Sequence, residues 1–413
     1  MPTESIKPFT PSPRVTALGL PGRTERGARQ SDRDLLSQAQ APFIDTTHFD
    51  TVRFPPPDWA LRAFVAAASD GALAYTGYRG NAAVLGLVSE ALAGFTGQRF
   101  DPDSELILTP GTQAGLFGAL AAIVGDGDNV LLFDPDYLFS ERMLRFLGGN
   151  VHNVPLTDGP TVQPDFDVLA ESMARLRPRL LVFSNPNNPT GAVYSSAAIA
   201  RIAELAVRHD VWVLVDELYA RLVYDGAPFT HLVAQPGMRE RTITLFGPSK
   251  TESLSGYRLG VVAAPRAVIA ALEDVQSITS LRAPAYAQHV LRPWLRDDHA
   301  WLATRLQEFD RLRQMTARAF RRLPWVKLFP QHGTAYLWPD VSAIGQPDFV
   351  VAAALLREAG VLVSPGYQFG PRGHGHFRVC YARGEQEWAA ALDRMTAVLD
   401  RLARAAGLPP RTD

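Results

Sequence analysis

Between Phe246 and Gly260 the chain reads FGPSKTESLSGYRLG, which puts one lysine, Lys250, just past an apolar run and one arginine, Arg258, eight residues further on. Lysine is scarce here: Lys7, Lys250 and Lys327 are the only three, and arginine fills almost every other basic position. The two cations differ in chemistry. Arginine keeps its proton at neutral pH, whereas a buried lysine amine can lose it and condense with an aldehyde. Lys250 is therefore a candidate nucleophilic amine, provided that groups able to use it lie beside it.

Such groups fall at the ends of strand-like runs, and in open α/β sheets ligands bind beyond the carboxyl ends of the strands. The run ELIL feeds Thr109-Pro110-Gly111-Thr112-Gln113 and then a helical pattern. A glycine turn at a helix start presents free N–H groups to an anion such as phosphate, although an ordinary strand-to-helix turn uses the same residues. DNVLLFD leads to Tyr137, which can offer a ring face to a flat cofactor or fill a half-buried core position. LLVFS leads into Asn185-Pro186-Asn187-Asn188-Pro189-Thr190-Gly191, whose prolines and glycine fix a tight loop with amides in set places. VWVLV ends in Asp216-Glu217, followed by Tyr219. A carboxylate at a buried strand end is costly unless paired, either with a protonated ring nitrogen or with an arginine. TITLF then delivers Lys250. No G-x-G-x-x-G follows a strand, which argues against a dinucleotide.

The elements that must position these residues alternate. Strand-like runs at Glu105–Leu108, Asn129–Phe133, Leu180–Phe183, Val211–Val215 and Thr242–Phe246 are separated by helical patterns at Gln113–Val124, Ser140–Leu147, Val168–Leu176 and Ser196–His209. Short, strongly apolar strands between helices predict a mostly parallel sheet covered on both faces. The last third carries long Arg- and Ala-rich helices, roughly His299–Arg322 and Glu385–Ala405, around short strands at Val361–Val363 and Phe377–Cys380. That predicts a second, smaller α+β domain. The expected division is a flexible N-terminal arm over 1–40, able to order against a partner subunit, a small domain from 41–72 and 294–413, and a large domain over 73–293.

Composition narrows the class. The chain has 413 residues, 46% of them hydrophobic and 20% charged, and a formal net charge of −1. It offers no basic surface excess for nucleic acid or an anionic membrane, and no apolar run long enough to span a bilayer. Cys380 is the only cysteine, which leaves no internal disulfide and no cysteine metal cluster. A cytoplasmic enzyme is expected.

NPNNPTG, VDELY and SKTESLSGYRLG resemble, in order, the asparagine, aspartate and lysine motifs of the class I/II aminotransferases, which are fold-type I pyridoxal-phosphate enzymes. TGYRG after Tyr75 resembles that family's tyrosine-to-glycine segment, and SPGYQFGPRGHGHFRVCYA its C-terminal substrate-arginine motif. The resemblance spans roughly residues 70–400. It implies an α/β fold with a mostly parallel seven-stranded sheet, and transfer of an amino group from an α-amino acid to a 2-oxo acid. Lys250 would hold pyridoxal 5'-phosphate as an aldimine and carry the proton, and Asp216 would pair with the pyridinium nitrogen. Tyr219 and Asn188 would bond the phenolate oxygen, and Tyr137 would stack on the ring. Gly111, Thr112, Gln113, Ser249 and Arg258 would hold the phosphate, with Tyr75 reaching it from a neighbouring subunit. Arg378, with Asn188, would bind the substrate carboxylate. A homodimer with shared active sites is implied. A PLP-dependent lyase, cyclase or oxidase, or a non-catalytic effector-binding domain, would share many of these residues.

Three departures from the family pattern stand out. Gly247 occupies a position often held by serine, with Ser249 a possible substitute. Glu252 stands where an apolar residue is common. Polar Thr46-Thr47 leads to His48-Phe49-Asp50 where glycine-aspartate-proline is usual. His48, Tyr78, Arg79 and Arg282 are candidate contacts to the substrate side chain.

Overall fold

The computed structural model describes residues 12–16, 18, 33–39, 42–49, 53–69, 74–159, 161–296 and 298–412. The expected arm over 1–40 and Asp50 lie largely or wholly outside these residues. Twelve strands are numbered here: β1 Ile44–Asp45, β2 Leu106–Pro110, β3 Asn129–Asp134, β4 Asn150–Pro155, β5 Leu180–Ser184, β6 Trp212–Asp216, β7 Thr242–Phe246, β8 Leu259–Ala263, β9 Tyr336–Leu337, β10 Val361–Leu362, β11 Ser364–Pro365 and β12 Phe377–Cys380.

Seven strands form the main sheet in the order β2-β8-β7-β6-β5-β3-β4. Only β8 runs antiparallel to its neighbours. Side chains alternate across a strand, and here both faces are buried. Leu131, Phe133, Leu181, Phe183, Val213 and Val215 enter one core, while Val130, Leu132, Leu180, Val182, Leu214 and Ile243 enter the core on the other face. Helices such as Thr112–Ile123 and Ser196–Arg208 cover these faces. The apolar runs are therefore uninterrupted, as a parallel sheet requires. Because β2, β3, β5, β6 and β7 point the same way, Pro110, Asp134, Ser184, Asp216 and Phe246 all finish at one edge.

Two strands of the main sheet are absent from the runs read in the sequence, as are the two-residue strands β1, β9 and β11. β4 (NVHNVP) sits at the sheet edge with only Val154 buried, so its pattern lacks an apolar run. β8 (LGVVA) is wholly buried and lies between β2 and β7.

A second core gathers around Phe309, Phe320, Phe377 and Trp388. It holds the helices His299–Arg321 and Glu385–Ala405, joined where Trp388 Nε1 donates to Thr316 Oγ1 at 2.8 Å. A three-stranded antiparallel sheet, β11-β12-β9, lies in this region. β1 pairs in parallel with β10, which brings the early segment with Phe49 and Phe54 into the same core. The helix Asp58–Ser69 goes elsewhere: Ala60, Trp59 and Phe64 pack with Val84, Leu92 and Trp294 beside the main sheet.

Candidate active site

β7 is buried throughout and ends at Phe246, so the chain turns immediately at Gly247-Pro248. The turn closes through Leu254 N–H donating to Pro248 O at 3.2 Å and Ser253 N–H donating to Lys250 O at 3.3 Å. Lys250 thereby projects into a cavity of about 500 Å³, with Nζ 5.7 Å from the centroid of the Phe49 ring.

Asp216 ends the adjacent strand β6 and lines the same cavity. Its Oδ1 accepts from Leu218 N–H at 3.0 Å. Burial pushes its pKa up to about 6, opposed by the Leu218 amide and the Lys250 charge. It has no ion pair with an arginine within 4 Å among the described residues. The neighbouring Glu217 turns away and bonds His231 Nδ1 at 2.5 Å. Asp216 is thus a buried acid whose surroundings disfavour its charge, and a further cation beside it would favour the ionised form.

The helix Thr112–Ile123 opens onto the cavity. Gly111 precedes it at φ +85°, in the left-handed region, and a Cβ there would lie 2.3 Å from Arg258 Nη2. The arginine is folded over this turn, donating to Ser255 O at 3.0 Å and Pro110 O at 3.4 Å. Thr112 Oγ1 is buried and has no partner among the described residues. A Cβ on Gly247 would approach that oxygen to 2.9 Å, so a side chain at 247 would require Thr112 to shift. Ser249 lines the cavity, its Oγ 3.4 Å from Leu259 O. An orphaned hydroxyl, first-turn amides and a guanidinium around a backbone with no room for Cβ suit a phosphate.

Tyr137 lies across the cavity, with its hydroxyl donating to Gln113 Oε1 at 2.8 Å, and burial raises its phenol. Tyr219 bonds Tyr336 through their hydroxyls at 2.8 Å, and burial raises the Tyr219 phenol well above its ordinary value.

The loop after β5 is built by its own amides. Asn187 Oδ1 accepts from Thr190 N–H at 3.1 Å and Thr190 Oγ1 at 2.6 Å, while Asn187 Nδ2 donates to Asp136 at 3.0 Å. Asn188 N–H donates to Ser184 Oγ at 3.0 Å, which turns the Asn188 side chain toward Arg378. Arg378 stands on β12, buried, donating to Asn188 Oδ1 and to Thr47 O, each at 2.7 Å. Its guanidinium covers the Tyr336 ring at 4.1 Å, and its Nε has no partner among the described residues.

The structure therefore brings Thr112, Gln113, Tyr137, Asn188, Asp216, Tyr219, Ser249, Lys250, Arg258 and Arg378 to one cavity, with Gly111 behind it. Three cations face one carboxylate there, which favours anionic ligands. Tyr336, Ser255 and Phe139 also line the cavity and were not foreseen. Tyr336 lies in a short two-residue strand that carries no local chemical pattern.

Other expected residues lie elsewhere on this chain. Tyr75 is 81% exposed, and the Arg282 guanidinium sits 4.7 Å from its ring and 4.2 Å from the Tyr78 ring. Arg79 pairs with Glu273 at 3.0 Å, and His48 with Asp45 at 3.5 Å. Within one chain these residues do not line the cavity.

Glu252, unexplained by sequence, is fully buried and bonded to Arg221 and to Trp294 Nε1, the latter at 3.2 Å.

Comparison with known proteins agrees with this geometry. The sequence profile of the family described as aminotransferase class I and II matches residues 46–395. A putative aminotransferase, YugH, from Bacillus subtilis is 33% identical over 79% of this chain and 85% of its own length. Aromatic-amino-acid aminotransferase 2 of Thermococcus litoralis is 31% identical over 78% of this chain and 84% of its own. The fold superposes on the crystal structure of an aspartate aminotransferase from Rhodobacter sphaeroides with a TM-score of 0.85, at 35% identity, covering 91% of this chain and 99% of that one. With its fold-type I α/β sheet and a profile match over most of its length, the chain belongs to the class I and II aminotransferases.

Proposed function

We propose that this aminotransferase works with pyridoxal 5'-phosphate bound covalently to Lys250, and moves the amino group of an α-amino acid to a 2-oxo acid. The observation that carries the reading is the placement of Lys250 and Asp216 on one cavity wall, with the Thr112 turn and Arg258 in the same cavity. When bound, the cofactor supplies an electron sink for the bond pair released at the substrate α-carbon.

The chain's own groups have separable tasks. Thr112 Oγ1, the first-turn amides of Thr112 and Gln113, Ser249 and Arg258 hold the phosphate. Asp216 keeps the ring nitrogen protonated, and that cation relieves the cost of a carboxylate in its burial. Tyr219 and Asn188 bond the ring oxygen, and Tyr137 covers the ring face. Arg378 takes the α-carboxylate through its planar fork, using the unpartnered Nε and displacing the Asn188 or Thr47 contact. Lys250 Nζ, freed when the substrate amine takes its place, would remove and return the α-proton.

The same reading includes a homodimer in which Tyr75, exposed on its own chain, reaches the partner's phosphate site. It includes a large domain over 73–293 and a small domain from 41–72 and 294–413, a division the core around Phe309 and Trp388 supports except at the helix Asp58–Ser69 and Trp294, which pack beside the main sheet. It also includes a cytoplasmic location, with which the buried, free Cys380 is in keeping. Among the described residues no helix is long and apolar enough to cross a membrane.

The test is a screen of amino-acid donors with 2-oxoglutarate and pyruvate as acceptors. The reading requires the spectrum of the pyridoxamine form after donor alone, and its reversal by acceptor. An ammonia-releasing reaction that never accumulates that form would mark an eliminating enzyme instead.

A further inference from the structure

Two positions beyond Lys250, Glu252 is completely enclosed. Its Oε1 accepts from Arg221 Nη1 and from Trp294 Nε1, and its Oε2 has no partner among the described residues. Arg221 in turn closes a two-pronged fork on Asp298, with both contacts at 2.7 Å. One guanidinium thus serves two carboxylates, all three side chains being at most 8% exposed. Burial and the Asp298 charge push Glu252 up to about 7, against the pull of Arg221. An apolar filling would be cheaper than such a cluster as simple packing, which raises the question of what the cluster connects.

It connects three segments. Arg221 lies two residues after Tyr219, and Glu252 lies two residues after Lys250. Asp298 precedes the long helix His299–Arg321, whose Phe309 packs edge-on to Phe49 at 5.8 Å. Phe49 is also the ring near Lys250 Nζ. The helix belongs to the same core as β12, which carries Arg378.

We propose that Arg221, Glu252 and Asp298 are positioning residues that lock the Lys250 turn to the body carrying Arg378, so that amine and guanidinium keep the separation one amino acid bridges. This rests on the reading of Lys250 as the reacting amine. The charged groups facing Glu252 are Arg221 and Asp298, and the carboxylate facing Lys250 is Asp216. Ionisation of Glu252 changes its hold on Arg221, and the turn 250–253 passes that change to Lys250.

The test uses the full-length chain and Glu252→Gln, which retains an acceptor for Arg221 and Trp294 but cannot ionise. Trace acetylation of Lys250 is measured from about pH 6 to 9 without cofactor, with Lys327, whose side chain is 75% exposed, as the internal reference. The native protein should show a step in the Lys250-to-Lys327 ratio near pH 7 in addition to the change from Asp216 near pH 6, and Glu252→Gln should keep only the latter. In the holoenzyme the variant's kcat should fall roughly tenfold, with KM within about twofold, the pattern of misplacement rather than lost binding. Identical labelling profiles, or an effect confined to the melting temperature with kcat unchanged, would overturn the proposal. The labelling arm needs no cofactor, so it reads the cluster even if Lys250 forms no bond to PLP, the separate outcome that would overturn the functional reading.

Discussion

Arg378 Nη1 donates to Asn188 Oδ1 at 2.7 Å, across 190 positions of sequence. The bond joins β12 of the smaller core to the loop that follows β5 of the main sheet. On the proposed function this would make Arg378 a preformed carboxylate grip, its guanidinium already flattened against Tyr336 and Phe369. A substrate carboxylate bound there would compete with Asn188 and Thr47 O for the same fork.

Arg378→Lys should therefore fail as a conservative change. Lysine cannot form the fork or stack on the ring. KM for the amino-acid donor should rise about ten- to hundredfold, the worth of one or two charged hydrogen bonds. PLP affinity, measured by titration of the apoenzyme, should stay near native. A loss of cofactor affinity of the same size would place Arg378 in the wrong subsite.

Asp216→Asn separates stability from function. Asn can still accept from Leu218 N–H through Oδ1. In the cofactor-free protein, burial raises the Asp216 pKa from 3.8 to about 6. A raised acid pKa means the folded state holds the proton more tightly than the unfolded chain. The stability linked to that proton is complete below about 3.8 and is lost as pH rises through about 6. The apo variant should accordingly melt higher than native at pH 8, by an amount of order 1–3 kcal/mol, and the gap should close near pH 4. Turnover should nonetheless fall by about 10²–10³ or more, as when a preorganised charge is removed. Melting curves at the two pH values, beside kcat, check both halves.

Gly111→Ala should damage the phosphate site specifically. The new Cβ would meet Arg258 Nη2 at 2.3 Å, and φ +85° disfavours any L side chain. The strain is of order 1–3 kcal/mol. Arg258 must swing off the turn, so PLP should bind at least about tenfold more weakly. Fluorescence or absorbance titration with PLP reads this directly, and unchanged affinity would remove Arg258 from the cradle.

Much of this arrangement is legible in the chain because the sheet is buried on both faces. Unbroken runs such as LLVFS and TITLF mark their strands, and parallel direction sends their following residues to one edge. The NPNNPTG and SKTESLSGYRLG strings are local, so the loops they form can be read locally. β4 escapes notice because an edge strand needs no apolar run. Tyr336 escapes because its role depends on two long-range contacts, to Tyr219 and to Arg378, that leave no local trace. Glu252 could be marked as odd but not explained, since its partners Arg221 and Asp298 come from distant segments. The resemblance implies that Tyr75 reaches a neighbouring subunit's phosphate, and Tyr78 and Arg282 are candidate substrate contacts; on a single chain the Arg282 guanidinium lies over both tyrosine rings, away from the cavity.

The central claim is that Lys250 is the amine that takes the cofactor. The most direct measurement is borohydride reduction of the protein reconstituted with PLP, followed by peptide mapping. Because Lys7 and Lys327 are the only other lysines, the assignment is unambiguous. The account predicts one phosphopyridoxyl group per chain, on the peptide containing Lys250, and none in Lys250→Ala. Label on Lys7 or Lys327, or no label on a protein that remains colourless, would contradict it.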